Sequence, residues 1–139
     1  MLEVRLLDWN AAQAEAKRIR FTVFVEEQRV PADLEMDEHD AHCLHALAFA
    51  GGLAIATGRL LPDGHIGRMA VLKEWRGQGA GRAMLRRLID AARARGDREV
   101  VLSAQVHAVG FYRAEGFETK GPVYEEAGIP HQEMRLALR

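Results

Sequence analysis

The sequence predicts a mixed α/β fold of the α+β type, on three observations. Three apolar runs, Cys43–Ala50, Leu53–Leu61 and His65–Leu72, are separated by Gly51-Gly52 and Pro62-Asp63-Gly64. Both separators are tight-turn signals, so the runs read as an antiparallel meander. Beyond Gly79, Met84, Leu85, Leu88, Ile89 and Ala92 recur at helical spacing on one stripe, with the arginines mostly on the other side. Finally, 139 residues with 48% apolar and 28% charged content suit one domain, 1–139, with a real core.

The remaining elements follow in order. Leu2–Leu7 reads as a first strand. Asn10-Ala11-Ala12-Gln13 resembles a capping box, with Trp9 as a staple, and opens a helix running towards Phe24. Pro31 breaks the chain, leaving Pro31–Asp40 as a short irregular helix or loop. After the meander, the long helix ends at Gly96. A strand at Val100–Ala104, a short helix through Tyr112 and Ala114, a strand after Gly116-Phe117 and an alternating strand at Gln132–Leu138 complete the chain.

Composition narrows the function classes. No 18-residue apolar stretch occurs and no charged-then-apolar leader opens the chain, so a cytoplasmic location is expected, with no membrane partner. The single cysteine, Cys43, excludes an intrachain disulfide. The net charge of −1 hides a polarity: seven acids against one base between Glu26 and Asp40, and nine bases against three acids between Arg68 and Arg98. The basic residues lack interleaved stacking aromatics, which argues against nucleic acid. A metal at the His39, His42, His45 series is not expected, because a strand starting near Cys43 turns these rings in different directions.

The chemistry is concentrated at Arg76-Gly77-Gln78-Gly79-Ala80-Gly81. Glycines where a strand passes into a helix let a ligand approach the backbone, and the helix N-terminus offers free N–H groups to an anion. A dinucleotide fingerprint fails, because the third glycine comes one residue early. A Walker A loop fails for want of a Lys-Ser or Lys-Thr pair. The pattern Arg-x-x-Gly-x-Gly after a strand resembles the pyrophosphate signature of the GNAT superfamily of acetyl-CoA-dependent N-acetyltransferases. Downstream, Ala108-Val109-Gly110-Phe111-Tyr112 through Gly116-Phe117 is similar to the second GNAT block. Val23–Pro31 with Glu35, Asp37 and Asp40, together with Gly128–Met134, resembles the ElaA-like and YjcF-like branch.

That resemblance implies the order β-α-α-β-β-β-α-β-α-β-β: a mixed, mostly antiparallel seven-stranded sheet flanked by about four helices. It implies acetyl-CoA as co-substrate and no metal. The pyrophosphate is expected on Gly77, Gln78, Gly79, Ala80, Gly81 and Arg82, with Arg76 and Arg82 adding charge. Met69, Ala70 and Val71 are expected to pair with the pantetheine arm, a backbone N–H of Met69 or Val71 polarising the thioester carbonyl. Tyr112 is the expected general acid and a cofactor contact. Gln105 stands where many relatives carry an Asn that touches the cofactor arm.

The base is less defined, because His65–Leu72 contains no acid where many relatives carry a glutamate. Glu26, Glu27, Glu35, His39 and His131 are candidates, and a histidine titrates near neutral pH. Glu26, Gln28, Glu35, Asp37 and His131 are the expected acceptor-binding residues, with Arg20 a weaker one. The acidic segment suits a cationic acceptor, either a polyamine-like small molecule or a basic peptide. The alternatives are a non-catalytic acyl-CoA sensor and a protein lysine or N-terminal acetyltransferase. Exposed strand edges leave a homodimer possible.

Overall fold

The computed structural model describes residues 2–35 and 37–138. Strand β1 (Leu2–Leu7) leads into helix α1 (Trp9–Arg20), which continues as a π-helical stretch, Phe21–Glu27. A short α2 (Ala32–Glu35) and a 3-10 turn (Asp40–His42) precede β2 (Leu44–Ala50), β3 (Leu53–Leu60) and β4 (Ile66–Val71). Helix α3 (Ala80–Ala94), β5 (Glu99–Gln105), α4 (Val109–Ala114), β6 (Glu118–Glu126) and β7 (Ile129–Ala137) follow. This is the expected element order, and the meander strands are each one or two residues shorter than their apolar runs.

The start of α1 corrects the expected cap. Asp8, not Asn10, is the N-cap: its Oδ1 accepts from the Ala11 N–H at 2.9 Å. Asp8 lies in extended backbone and can cap, whereas Asn10 is already inside the helix. Trp9 is thus the first helical residue; its ring lies tilted against His45, centroids 4.7 Å apart, and 5.6 Å from the Arg20 guanidinium.

The seven strands form two hydrogen-bonded sheets, β1-β2-β3-β4 and β5-β7-β6. They meet at one parallel bridge between His65 and Val101, where the Val101 N–H also donates to the Gly64 carbonyl at 3.0 Å. Beyond that point β4 and β5 run side by side without a ladder, so a V opens between their C-terminal ends. Helix α3 covers one face through Met84, Leu85, Leu88 and Ile89, packed on Ala46, Ala48, Val100 and Leu102. Helix α1 and the π-helical stretch cover the other, with Ala12 and Ala16 on Leu47, and Ile19 and Val23 on Ala54 and Ala70. Burying both faces of the four-stranded sheet fixes β4, and hence the V, from two sides.

Strand β4 is bulged. Thr57 pairs with Ala70 and Arg59 with Gly67, so Arg68 and Met69 together stand opposite Gly58. A Cβ on Gly58 would overlap the Met69 sulfur. Gly58→Ala is therefore expected to lower stability by about 1–3 kcal/mol through overpacking. The denaturant midpoint measures it, and an unchanged midpoint would mean that Met69 swings clear without loss.

Candidate functional site

At the mouth of the V, the turn before α3 takes the backbone its glycines permit. Gly77 and Gly79 have φ of 79° and 89°, a left-handed region that is costly for other residues, and Gly79 is the helix N-cap. Gly79 offers no side chain to cap the helix. Among the described residues no protein acceptor is aimed at the N–H groups of Gly77–Arg82. The first turn thus keeps its donors and its positive dipole end available to an anion. Gly81 lies under Phe111 and Val71, close enough that a Cβ would touch both.

The two arginines expected at this anion site are engaged elsewhere. Arg76 grips the Glu27 carboxylate through both terminal nitrogens, at 2.6 and 2.7 Å, and donates from Nε to the Val71 carbonyl at 2.9 Å. Those hydrogen bonds hold the Glu27 carboxyl below the usual glutamate range. Arg82, with Arg86, pairs with the half-buried Glu115. Arg76 therefore fastens the end of the π-helical stretch to the end of β4.

The bulge decides which β4 amides face the V. Near the turn, Leu61 donates to the His65 carbonyl at 2.7 Å, which makes 61/65 and then 59/67 the hydrogen-bonded pairs. Past the bulge, Leu72 donates to the Ile55 carbonyl at 2.9 Å, so the bonded pairs become 55/72 and 57/70. The N–H of Val71, which an unbulged ladder would direct at β3, instead faces away from β3 on the gap side, and Met69 lies in the bulge just before it. Ala70 differs from the other two: its backbone is in the ladder, and its side chain packs under α1.

The opposite wall belongs to β5 and β7. Gln105 closes β5, and its amide exchanges two hydrogen bonds with that of Gln28, at 2.8 and 3.3 Å, across the V from one wall to the other. His131 is the direct cross-strand partner of Gln105 and so shares its face, the one on the α1 side. The His131 ring is almost fully buried, and Tyr124 stacks on it with ring centroids 6.2 Å apart. The Tyr124 hydroxyl is hydrogen-bonded to that of Ser103, which lies two residues before Gln105 on the same face. His131 Nδ1 lies 2.7 Å from the Ile129 carbonyl. A carbonyl can only accept, so Nδ1 carries a proton, and in the neutral ring the lone pair is on Nε2.

Tyr112 occupies the other face. Its ring meets Phe111 and Phe117 edge-on, at 5.0 and 5.9 Å, against the α3 core. Burial raises its pKa to about 12, so the phenol is a proton donor over the whole neutral range.

The acidic segment takes a different place from the one expected. Glu35, 5% exposed, is ion-paired with Arg20, and Asp37 is gripped by Arg59 at 2.7 and 2.8 Å and touched by Arg68 at 3.1 Å. Asp40 accepts two bonds of 2.9 Å from Arg20 and one of 2.9 Å from Arg59. The Arg59 hydrogen bonds hold the Asp37 carboxyl far below the carboxylate range. Burial opposes the charge on Asp40, but Arg20 and Arg59 outweigh it. The three carboxylates are balanced by three internal arginines, and the separation of an acidic from a basic block is corrected accordingly: Arg68, counted with the basic block, is inside the acidic cluster. Of the other acceptor candidates, Glu26 is exposed on the π-helical stretch and Gln28 follows it at the V. His39 is on the surface turn before Asp40.

Arg59, Arg68, Ser103 and Tyr124 were not anticipated. Arg59 did carry a signal, because a charge near the end of the apolar run Leu53–Leu61 demands a buried partner.

The acetyltransferase (GNAT) domain family matches residues 10–138. The uncharacterized N-acetyltransferase YjcF of Bacillus subtilis is 36% identical over 124 residues, covering 86% of this chain and 89% of its own. The crystal structure of an acyl-CoA N-acyltransferase from Pseudomonas aeruginosa superposes with a TM-score of 0.87 at 33% identity, covering 99% of this chain and 100% of that one. The crystal structure of Escherichia coli ElaA has a TM-score of 0.86 at 29% identity, covering 97% and 99%.

Proposed function

The chain belongs to the GNAT acetyltransferase family, and from that premise we propose that this acyltransferase moves an acetyl group from acetyl-CoA directly onto a primary amine at the mouth of the V. The observation that carries the reading is the pairing of two sets of backbone donors: Val71 on β4, turned away from β3 by the bulge at Arg68-Met69, and Gly77–Arg82 at the start of α3. The first set suits an extended arm with amides of its own, and the second suits a pyrophosphate. The thioester of the bound co-substrate supplies the activated acetyl group.

Each face of the sheet then has its own task. On the α3 face, Tyr112 holds a proton for the departing thiolate. On the α1 face, His131 Nε2 takes the proton of the incoming amine, its ring fixed by Ile129 and Tyr124. The Val71 N–H, directed into the gap, stabilises charge on the carbonyl oxygen. Cys43 takes no part: burial pushes its thiol up to about 11, and its Sγ faces the His39 carbonyl. An acyl-cysteine route therefore has no nucleophile, which favours direct attack.

With Glu35 and Asp37 balanced internally, the charge that favours a cationic acceptor comes from other carboxylates. Glu26 stands two residues before Gln28. Glu125 and Glu126 are exposed on the β6–β7 hairpin, paired with Pro130 and Ile129 beside His131. These suit a polyamine-like amine or a basic peptide. A second copy of the chain would find its pairing groups on the outer edge of β6.

An amine and peptide panel followed by release of CoA thiol tests the reading. Cationic acceptors are expected to lead in kcat/KM, and the advantage should shrink with added salt. Equal rates for neutral and anionic acceptors would sink the charge argument.

A further inference from the structure

We infer that Arg68 is a positioning residue for acyl transfer, whose guanidinium, clamped by Asp37, holds β4 in the bulged register that turns the Val71 amide away from β3, towards the V. The inference rests on the proposed role of that amide and deepens it.

Three observations converge on Arg68. Its φ of 51° makes it the one non-glycine residue within a described strand to adopt the left-handed region; Arg29 and Ala127, the other two cases, lie outside strands. Such a conformation is strained for any residue with a side chain and persists only where the surroundings impose it. Its side chain shows what imposes it. Nε donates to the Glu35 carbonyl at 3.2 Å and a terminal nitrogen donates to Asp37 Oδ2 at 3.1 Å. Asp37 is itself anchored by Arg59, Arg59 by Asp40, and Asp40 by Arg20, so the clamp is tied to α1, α2, β3 and the turn before β2. The third observation is the change of phase. Ile66 faces the α3 core, and unbroken alternation would send residue 68 the same way; the bulge instead places Arg68 on the α1 side and Met69 towards α3.

One extra residue inverts the hydrogen-bonding parity of everything after it. In an unbulged register, His65, Gly67, residue 69 and residue 71 would donate to β3, and the N–H of Val71 would not face a ligand. The clamp therefore selects between two ladders of the same strand. Gly58 is the matching permission on β3, since it leaves room for Met69 after the switch.

Hydrogen exchange on the ligand-free protein tests this without relying on turnover. In the native chain the amides of Ala70 and Leu72 are expected to be protected and that of Val71 to exchange freely, with CoA then protecting it. A native Val71 amide as protected as those of Ala70 and Leu72 would overturn the inference, whatever the variants do.

Arg68→Gly removes the clamp and keeps the left-handed conformation accessible. It is expected to lose the contrast between Val71 and the two ladder amides, to raise the Kd for CoA about tenfold and to lower kcat about tenfold, with the acceptor KM little changed. Asp37→Asn should move the same readouts in the same direction by less. Folded Arg68→Gly protein with native exchange, native CoA Kd and native kcat would overturn the inference, because a merely structural side chain would move only the melting temperature. A native protein that shows the exchange contrast yet neither binds CoA nor transfers acetyl would refute the proposed function while leaving the register clamp intact.

Discussion

Tyr112→Phe is expected to lower kcat by about 10²-fold with every accepted amine, at unchanged affinity for CoA. The substitution removes one oxygen and leaves the edge-on packing against Phe111 and Phe117 in place, so the melting temperature should hold. The hydroxyl has no protein partner among the described residues, which leaves it free to give its proton to a thiolate. The pH dependence carries a sign. The folded pKa of about 12 lies above the usual 10, so the phenol stays protonated through the range where the free side chain would ionise. Its contribution to stability is complete below about pH 10 and is lost as pH rises towards 12. A basic limb of the rate profile at pH 8 or 9 is thus not Tyr112. Turnover that survives Tyr112→Phe undiminished would remove its assigned role.

His131→Gln is expected to cost a similar 10²-fold in kcat/KM near neutral pH. The glutamine amide can still reach the Ile129 carbonyl, but it carries no lone-pair nitrogen in place of Nε2. The loss should narrow as pH rises, because a growing share of the acceptor arrives already deprotonated and needs no base. A pH series from 6 to 10 with a fixed amine shows this convergence. A loss constant with pH would mark His131 as a shape-giving residue rather than the proton acceptor, and no loss would take it out of the reaction.

Much of the turn and helix start proposed for the donor half was legible in the sequence, because it depends on what residues permit rather than on what they touch. Glycine is required where the backbone turns left-handed, and Gly77 and Gly79 do so. The stripe on α3 and the two turns of the meander are equally local, and each appears where its spacing placed it.

The acceptor half depends on pairing at a distance, which spacing does not encode. Asp37 and Asp40 read as a solvated acidic face because their nearest sequence neighbours are acids. Their partners, Arg20 and Arg59, arrive from α1 and β3, about 20 positions away on either side. The bulge at Arg68 was hidden for another reason: in the short apolar run around it, inverting the alternation leaves both patterns plausible. The N-cap shows the same limit on a smaller scale, since Asp8 and Asn10 both carry suitable side chains and only the backbone angle distinguishes them.

The strand order β5-β7-β6 bears on how the molecule comes to exist at all. β7 is made after both β5 and β6, yet it lies between them in the sheet. During synthesis, β5 and β6 emerge with no partner for each other, and the chain holds open pairing edges until Ile129–Ala137 inserts between them. The four-stranded half has no such requirement, because its strands pair in the order in which they are made. Strand β4 can thus be in place first, and the wall that carries His131 is completed only when β7 inserts. On this topology, the insertion of β7 between β5 and β6 is also the step that completes one wall of the gap proposed for the reaction.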